Sequence, residues 1–362
     1  MLFKIFLIQL LILHLCFGLD LFCRNLKGKK VDWFVAYKLP DLPSTNKGTQ
    51  FLYTDSKSSK WILSDLAITD PKSAIGKTFS QFWEVKKNSK IFYAIYNDDN
   101  PSLNKTDSYR AHMKGAMAFD DFTGFWISHS VPKFIDLNKR HYTYPDSGLK
   151  YGQTFFCGTF SVTALMEIGK HLEYAQPSIS HSNIPKSFSI LFPALFRAIQ
   201  KKRLSEKSGD FTVSQIVETL AGIKLKLFSK NKKFDKDLYS NFLGKELKAS
   251  FFVQSWLNGG GTDLASFCDV RNEKVYNLRS MKLDNGKYSF TSSKDHSKWA
   301  ISVEANKKVV CIADINRQKS QHLRGGGAIC IENLNLWNLF QSSIDTIECC
   351  GNFGKKIAKK CD

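Results

Sequence analysis

The sequence repeats itself at the scale of half a chain, and a repeat of that size restricts the fold more than composition does. His112-Met113-Lys114-Gly115-Ala116-Met117-Ala118-Phe119 stands beside His296-Ser297-Lys298-Trp299-Ala300-Ile301-Ser302-Val303. Both read His-x-Lys followed by a strand-like run. A second such run follows in each copy, Gly124 to His129 and Val309 to Asn316. Next come a glycine turn and a cysteine, Gly152 with Cys157 and Gly325 with Cys330. The cysteines lie 330 − 157 = 173 positions apart in a chain of 362 residues. This order predicts a duplicated half-chain, and if a pseudo-twofold axis relates the copies, their two His-x-Lys pairs converge on one site. The polar stretch 202–211 is the expected boundary, giving halves 19–205 and 206–362.

Residues 1–18 stand outside the repeat. Lys4 precedes an apolar run without an acid, too short to span a bilayer, which reads as a signal peptide cut after Gly18. No later stretch approaches the roughly 20 apolar residues of a membrane helix. Removing Cys16 leaves eight cysteines, at 23, 157, 268, 311, 330, 349, 350 and 361. An even number in an exported chain argues for disulfides, and without a CxxC pair or His/Cys cluster a zinc site is disfavoured. Asn104-Lys105-Thr106 is a glycosylation acceptor. The net charge of +19 becomes +18 without Lys4, which predicts attraction to polyanions, nucleic acid foremost. With 43 Lys against 9 Arg, the surplus suits sequence-blind phosphate contact better than base readout.

Strands are expected at 31–37, 51–53 and 91–96, where aromatic and β-branched residues cluster between turn formers. Helices are expected over 160–172, over 188–201 with a break at Pro193, and over 334–344. Strands and helices alternate, so the expected class is α/β.

Eight histidines and 43 lysines give about one His-x-Lys triplet by chance, and there are two, at matching places in the repeat. On a strand, residues i and i+2 share a face, so each His projects with its Lys. Two such pairs meeting at an axis suit phosphoryl transfer: one imidazole attacks phosphorus and the other protonates the leaving oxygen. The lysines stabilise the oxygens that gain charge. Each piece has a plainer reading. His112 or His296 alone is a polar strand end, and His129 either orients a catalytic group or caps a strand. Gly325 to Gly327 either admit a phosphate to backbone amides or form a turn. Asp98-Asp99 and Asp120-Asp121 read as solvent-exposed turns, and His141, His171, His181 and His322 as core or surface residues.

An ordered set of segments resembles the deoxyribonuclease II family. It runs through Val31-Asp32-Trp33-Phe34, Tyr37-Lys38-Leu39-Pro40, Tyr96-Asn97-Asp98, His112-x-Lys114-Gly115 and Gly124-Phe125-Trp126. His129-Ser130-Val131-Pro132, Tyr151-Gly152-Gln153-Thr154, Asp237-Leu238-Tyr239, Asp295 to Trp299, Asp314-x-Asn316-Arg317 and Arg324 to Gly327 complete it. The resemblance covers about 19–350. It implies a phospholipase D-like fold of two pseudo-symmetric halves, each a central sheet flanked by helices, stabilised by disulfides. It implies cleavage of double-stranded DNA with little sequence preference, at acid pH, without metal or other cofactor, leaving 3′-phosphate and 5′-hydroxyl ends. His112 is then the nucleophile, His296 the general acid, Lys114 and Lys298 the phosphate ligands, and His129 and Asn316 supporting residues. The implied disulfides are Cys23 with Cys157, Cys311 with Cys330, and Cys268 with Cys349 or Cys350, the cysteine left over pairing with Cys361. A lysosomal or secreted destination is implied, without membrane attachment. The chain departs from the family pattern at Ala111, in the lysine-rich middle from about 173 to 235, and in the basic tail at 355–360. The alternative is an inactive relative that binds DNA or another polyanion. A lipid phosphodiesterase is disfavoured because no amphipathic membrane helix is present.

Overall fold

A computed structural model of the protein describes residues 19–350, apart from 104–105, 206–208, 210, 259, 270 and 272. The expected signal peptide, Asn104, Cys361 and the basic tail lie outside the described residues.

Two large sheets form. The first comprises β1 (Trp33–Lys38), β2 (Phe51–Asp55), β3 (Ile62–Leu63), β4 (Phe92–Asn97), β5 (Lys114–Phe119), β6 (Thr123–His129), β7 (Gln153–Ser161) and β8 (Ile179–Asn183), in spatial order β8-β4-β5-β6-β7-β1-β2-β3. The second comprises β9 (Thr212–Glu218), β10 (Lys224–Lys230), β11 (Phe251–Gln254), β12 (Val275–Leu283), β13 (Tyr288–Thr291), β14 (Trp299–Ser302), β15 (Val309–Ala313) and β16 (Gly326–Glu332). Their order is β9-β10-β16-β15-β14-β11-β12-β13, and Ile344–Ile347 pairs with β12. The run β4-β5-β6-β7-β1-β2 therefore corresponds in space to β11-β14-β15-β16-β10-β9.

The chain is mixed α/β, but helices and strands do not alternate regularly. Nearly all pairings are antiparallel, with β11–β12 parallel. Antiparallel neighbours need only a tight turn. Between β5 and β6 the Asp120 carboxylate accepts the amides of Phe122 and Thr123, both at 2.8 Å.

Alternation along each strand separates the layers. On β1, Trp33, Val35 and Tyr37 enter a core shared by both sheets, while Phe34 and Ala36 face an outer layer with Phe79 and Phe82 of helix α1 (Ala74–Val85). The shared core also takes Leu165, Ile168 and Leu172 of α2 (Leu165–Ala175), Leu195 and Ile199 of α3 (Pro193–Ile199), and Leu336 and Phe340 of α4 (Leu334–Ser342). Leu238 to Leu243 cover the outer face of the second sheet.

The break expected at Pro193 is present, while several helix ends differ from the sequence reading. The helix expected from 160 begins at Leu165, because Phe160 is held in β7 opposite Gly124. The helix expected to break at Pro193 is two helices, the first ending at Leu191 and the second restarting with Pro193, where proline's missing N–H costs nothing. Disulfides join Cys23 to Cys157, Cys268 to Cys350, and Cys311 to Cys330 across β15 and β16; Cys349 is also disulfide-bonded. No helix among the described residues is long and apolar enough to cross a membrane.

Candidate active site

The two His-x-Lys segments lie where the sheets meet, and each is tied by its backbone to the opposite half. His112 N–H donates to the Gly325 carbonyl, and His296 N–H to the Gly152 carbonyl, both at 2.9 Å. Close approach explains the glycines. A Cβ on Gly325 would lie 2.0 Å from the Ala175 carbonyl oxygen, and one on Gly152 would lie 2.3 Å from the Asp295 carboxylate.

Two buried lysines to which the sequence reading gave no role support these turns. Lys38, ending β1, donates to the Leu149 carbonyl at 2.5 Å. Lys230, ending β10, donates to the carbonyls of Arg324 at 2.6 Å and His322 at 2.9 Å. Burial lowers them to about 7 and about 8 respectively. Their signal was a lysine ending a strand in each half, β1 reading WFVAYK and β10 reading KLKLFSK.

A tight, crevice-like cavity, too narrow to admit a water molecule, lies between the motifs, lined by His112, Met113, Lys114, His129, Ser130, Lys298, Ala313 and Asp314 but not by His296. Lys114 binds the Asp98 carboxylate, whose other oxygen takes Arg324 at 3.1 Å and lies 3.9 Å from His112 Nε2. Asp98 corrects the expectation of a solvated turn: it is 2% exposed, because Lys114 and Arg324 compensate its burial. Burial alone would raise its pKa, but Lys114, His112 and Arg324 hold it well below the carboxylate range.

The histidines differ in their partners. His112 Nδ1 is 2.6 Å from the Gln321 amide oxygen, so with Nδ1 donating, Nε2 keeps its lone pair. His296 Nδ1 is 3.0 Å from the Ser130 carbonyl, which can only accept, so Nδ1 carries a proton. Lys298 Nζ, 3.3 Å from the same nitrogen, is therefore a neighbouring charge, and it donates to the His296 carbonyl at 3.0 Å. Burial pushes both imidazoles well below their ordinary value; Lys298, Lys114 and His112 add to this at His296, while Asp98 opposes it at His112. Lys298 falls to about 7 through burial and the charge of Lys114.

The halves are not identical at the cavity. Ser130 and Asp314 occupy equivalent positions: Ser130 Oγ accepts the Thr154 amide at 3.0 Å, and Asp314 Oδ2 accepts the Gly327 amide at 3.1 Å. Asp314 Oδ1 is buried without a hydrogen-bond partner in the protein, and burial raises the carboxyl to about 7. Gly326 and Gly327 lie in β16, so the glycine run is mainly strand, with one of its amides committed to Asp314.

His129 ends β6 among Phe79, Phe134 and Phe155, its ring centroid 5.3 to 5.8 Å from theirs. Its Nδ1 accepts the Val131 amide at 3.2 Å, and its buried Nε2 has no protein partner. Asn316 is buried with an unpaired side-chain oxygen, but it is not among the residues lining the cavity. His171 belongs to the core, bonded to Ser229. Beside His296 stands Trp256, 5.2 Å between ring centroids, with Tyr151 set edge-on against it at 4.6 Å. Nothing in the sequence around Trp256 marked it.

The chain belongs to the deoxyribonuclease II family, as its resemblance implied: the family model described as Deoxyribonuclease II matches residues 22–350. Among its relatives is Cell-death-related nuclease 7 of Caenorhabditis elegans, 41% identical over 329 residues, covering 91% of this chain and 88% of the relative. Plancitoxin-1 of Acanthaster planci is 33% identical over 334 residues, covering 91% and 92%. Human Deoxyribonuclease-2-beta is 32% identical over 335 residues, covering 91% of each.

Proposed function

We propose that this deoxyribonuclease hydrolyses DNA phosphodiester bonds through a phosphohistidine, in acid and without a metal ion. His112 Nε2 attacks phosphorus, the bond to the 5′-oxygen breaks, and His296 gives that oxygen its Nε2 proton. Water then attacks the phosphohistidine, His296 takes its proton, and His112 is released with a 3′-phosphate and a 5′-hydroxyl as products. Lys114 and Lys298 hold the non-bridging oxygens and offset their developing charge. His129, with an unpaired nitrogen beside the cavity, is a supporting group; Asn316 would act from behind the cavity wall.

The observation that supports this reading is the reciprocal anchoring: each histidine is bonded to the glycine turn of the opposite half, and both lysines line one cavity. The same pseudo-symmetry favours a phospholipase D-like arrangement with halves 19–205 and 206–362. Acid dependence follows from His296. Its Nδ1 proton is committed to Ser130, so proton donation from Nε2 requires the imidazolium. Burial and Lys298 depress that pKa, so the acid form is present below it and lost tenfold per unit above it. The disulfides and the family fit a secreted or lysosomal protein.

The test is plasmid cleavage at about pH 5 in excess chelator, with His112→Ala and His296→Ala alongside. Cleavage by the wild type alone, giving 3′-phosphate ends, is the expected result. A folded wild type that binds DNA and never cleaves it would instead favour the inactive polyanion binder.

A further inference from the structure

A second cavity, of about 130 Å³, opens behind the His112 turn. Its lining brings together Arg110, Lys201, Arg203 and Lys232 from three separate segments, and no carboxylate is among its described lining residues. Four cations around one space favour an anion between them, although Lys201 and Arg203 are exposed and screened by water, and Arg110 also donates to the Lys201 carbonyl at 3.4 Å. The pocket shares a wall with the cleavage site. Ala111, which precedes His112, and Gly325, whose carbonyl accepts the His112 amide, both line it.

Arg324 joins the two cavities mechanically. Its guanidinium donates to the Arg110 carbonyl at 2.6 Å and the Asp107 carbonyl at 3.0 Å, while also pairing with Asp98. The loop that presents Arg110 is thus fixed from the catalytic side. At the mouth, Lys232 Nζ lies 3.2 Å from the ring centroid of Tyr109, which holds the ammonium over the pocket. The other side of the cleavage site differs, with the aromatic pair Tyr151 and Trp256 beside His296.

We propose that this pocket is a subsite for the DNA backbone phosphate adjoining the one cleaved, on the strand running past His112. The proposal rests on the cleavage reading above and adds the direction in which the strand leaves the site. A DNA strand carries a charge about every 3.4 Å of axis, so a bound strand presents a second phosphate close to the first. Contacts of this kind position the strand without reading its bases.

The test compares wild type with the double variant Arg203→Ala, Lys232→Ala on two substrates. With duplex DNA, KM rises by about tenfold at unchanged kcat, and the slope of log affinity against log salt becomes shallower by about 2. Bis(4-nitrophenyl) phosphate, a single phosphodiester that cannot reach the pocket, is cleaved with wild-type kcat/KM. The charge-keeping variant Arg203→Lys, Lys232→Arg behaves as wild type on both. An unchanged DNA KM and salt slope would overturn the subsite, as would equal losses on both substrates. If the wild type cleaves neither substrate, the cleavage reading fails, and the salt slope of labelled-duplex binding by itself decides the subsite.

Discussion

Replacing Trp256 by alanine tests the link between structure and acid dependence. The indole lies 5.2 Å from the His296 ring, and burial is the largest cause of that imidazole's depressed pKa. Removing the indole admits water to one side of the ring while leaving Lys298 and Lys114 in place. Desolvation relief favours the charged form, so the His296 pKa rises. Recovering part of the burial effect corresponds to a shift of about 0.5 to 1 unit, or about 0.7 to 1.4 kcal/mol. The acid form is required for leaving-group protonation, so the alkaline limb of kcat/KM moves up by the same amount. At any pH well above the wild-type limb, the variant's plateau-normalised kcat/KM is then about three to ten times that of the wild type. The assay is kcat/KM on DNA from pH 4 to pH 7.5, normalised to each protein's acid plateau, with thermal melts to verify folding. Trp256→Phe keeps the ring covered and keeps the wild-type limb. A limb that stays in place or moves to lower pH in Trp256→Ala would refute the reasoning, because the first proton lost with rising pH would not belong to His296.

Asp98→Asn leaves Lys114 and Arg324 buried beside a neutral group and costs about 3 to 5 kcal/mol, measurable by urea denaturation at pH 7. The Asp98 pKa is lowered on folding, so its contribution is present above the unfolded value of about 3.9 and is lost as pH falls through the folded value; the deficit therefore persists at pH 5. A loss under about 1 kcal/mol at both pH values would mean that these cations are not held by the carboxylate. Replacing Cys23 and Cys157 together by serine opens a link between residues 134 apart and costs about 2 to 5 kcal/mol, read from the same denaturation curves; an unchanged midpoint would contradict it. Plasmid cleavage proceeds at the same rate in excess chelator as without it, and restoration of a lost activity by added Mg²⁺ or Zn²⁺ would contradict the metal-free mechanism.

The parts of this site visible in sequence were those carried by short spacing. His112 with Lys114 and His296 with Lys298 are two residues apart, and strand alternation puts each pair on one face. Asp98 was misread because its partners Lys114 and Arg324 come from other elements, one of them in the other half of the chain. Gln321, which meets His112, and Ser130, which meets His296 through its backbone, likewise act across the sheet interface. The chemical difference between Ser130 and Asp314 became visible only when their hydrogen bonds to Thr154 and Gly327 aligned the strands. Periodicity located the strands well, but it extended a helix back to Phe160, where pairing with β6 prevails over local apolar spacing.

The division of labour between the histidines is tested most directly with an oligonucleotide whose scissile 5′-bridging oxygen is replaced by sulfur. A thiolate leaves without a proton, so the general acid becomes dispensable while the nucleophile does not. In a single turnover at about pH 5, His296→Ala releases the thiol at near the wild-type rate and accumulates a phosphoryl adduct on His112, whereas His112→Ala releases none. Release by His112→Ala with an inert His296→Ala would contradict the assignment by exchanging the two roles, and full release by both variants would remove the pair from the chemistry.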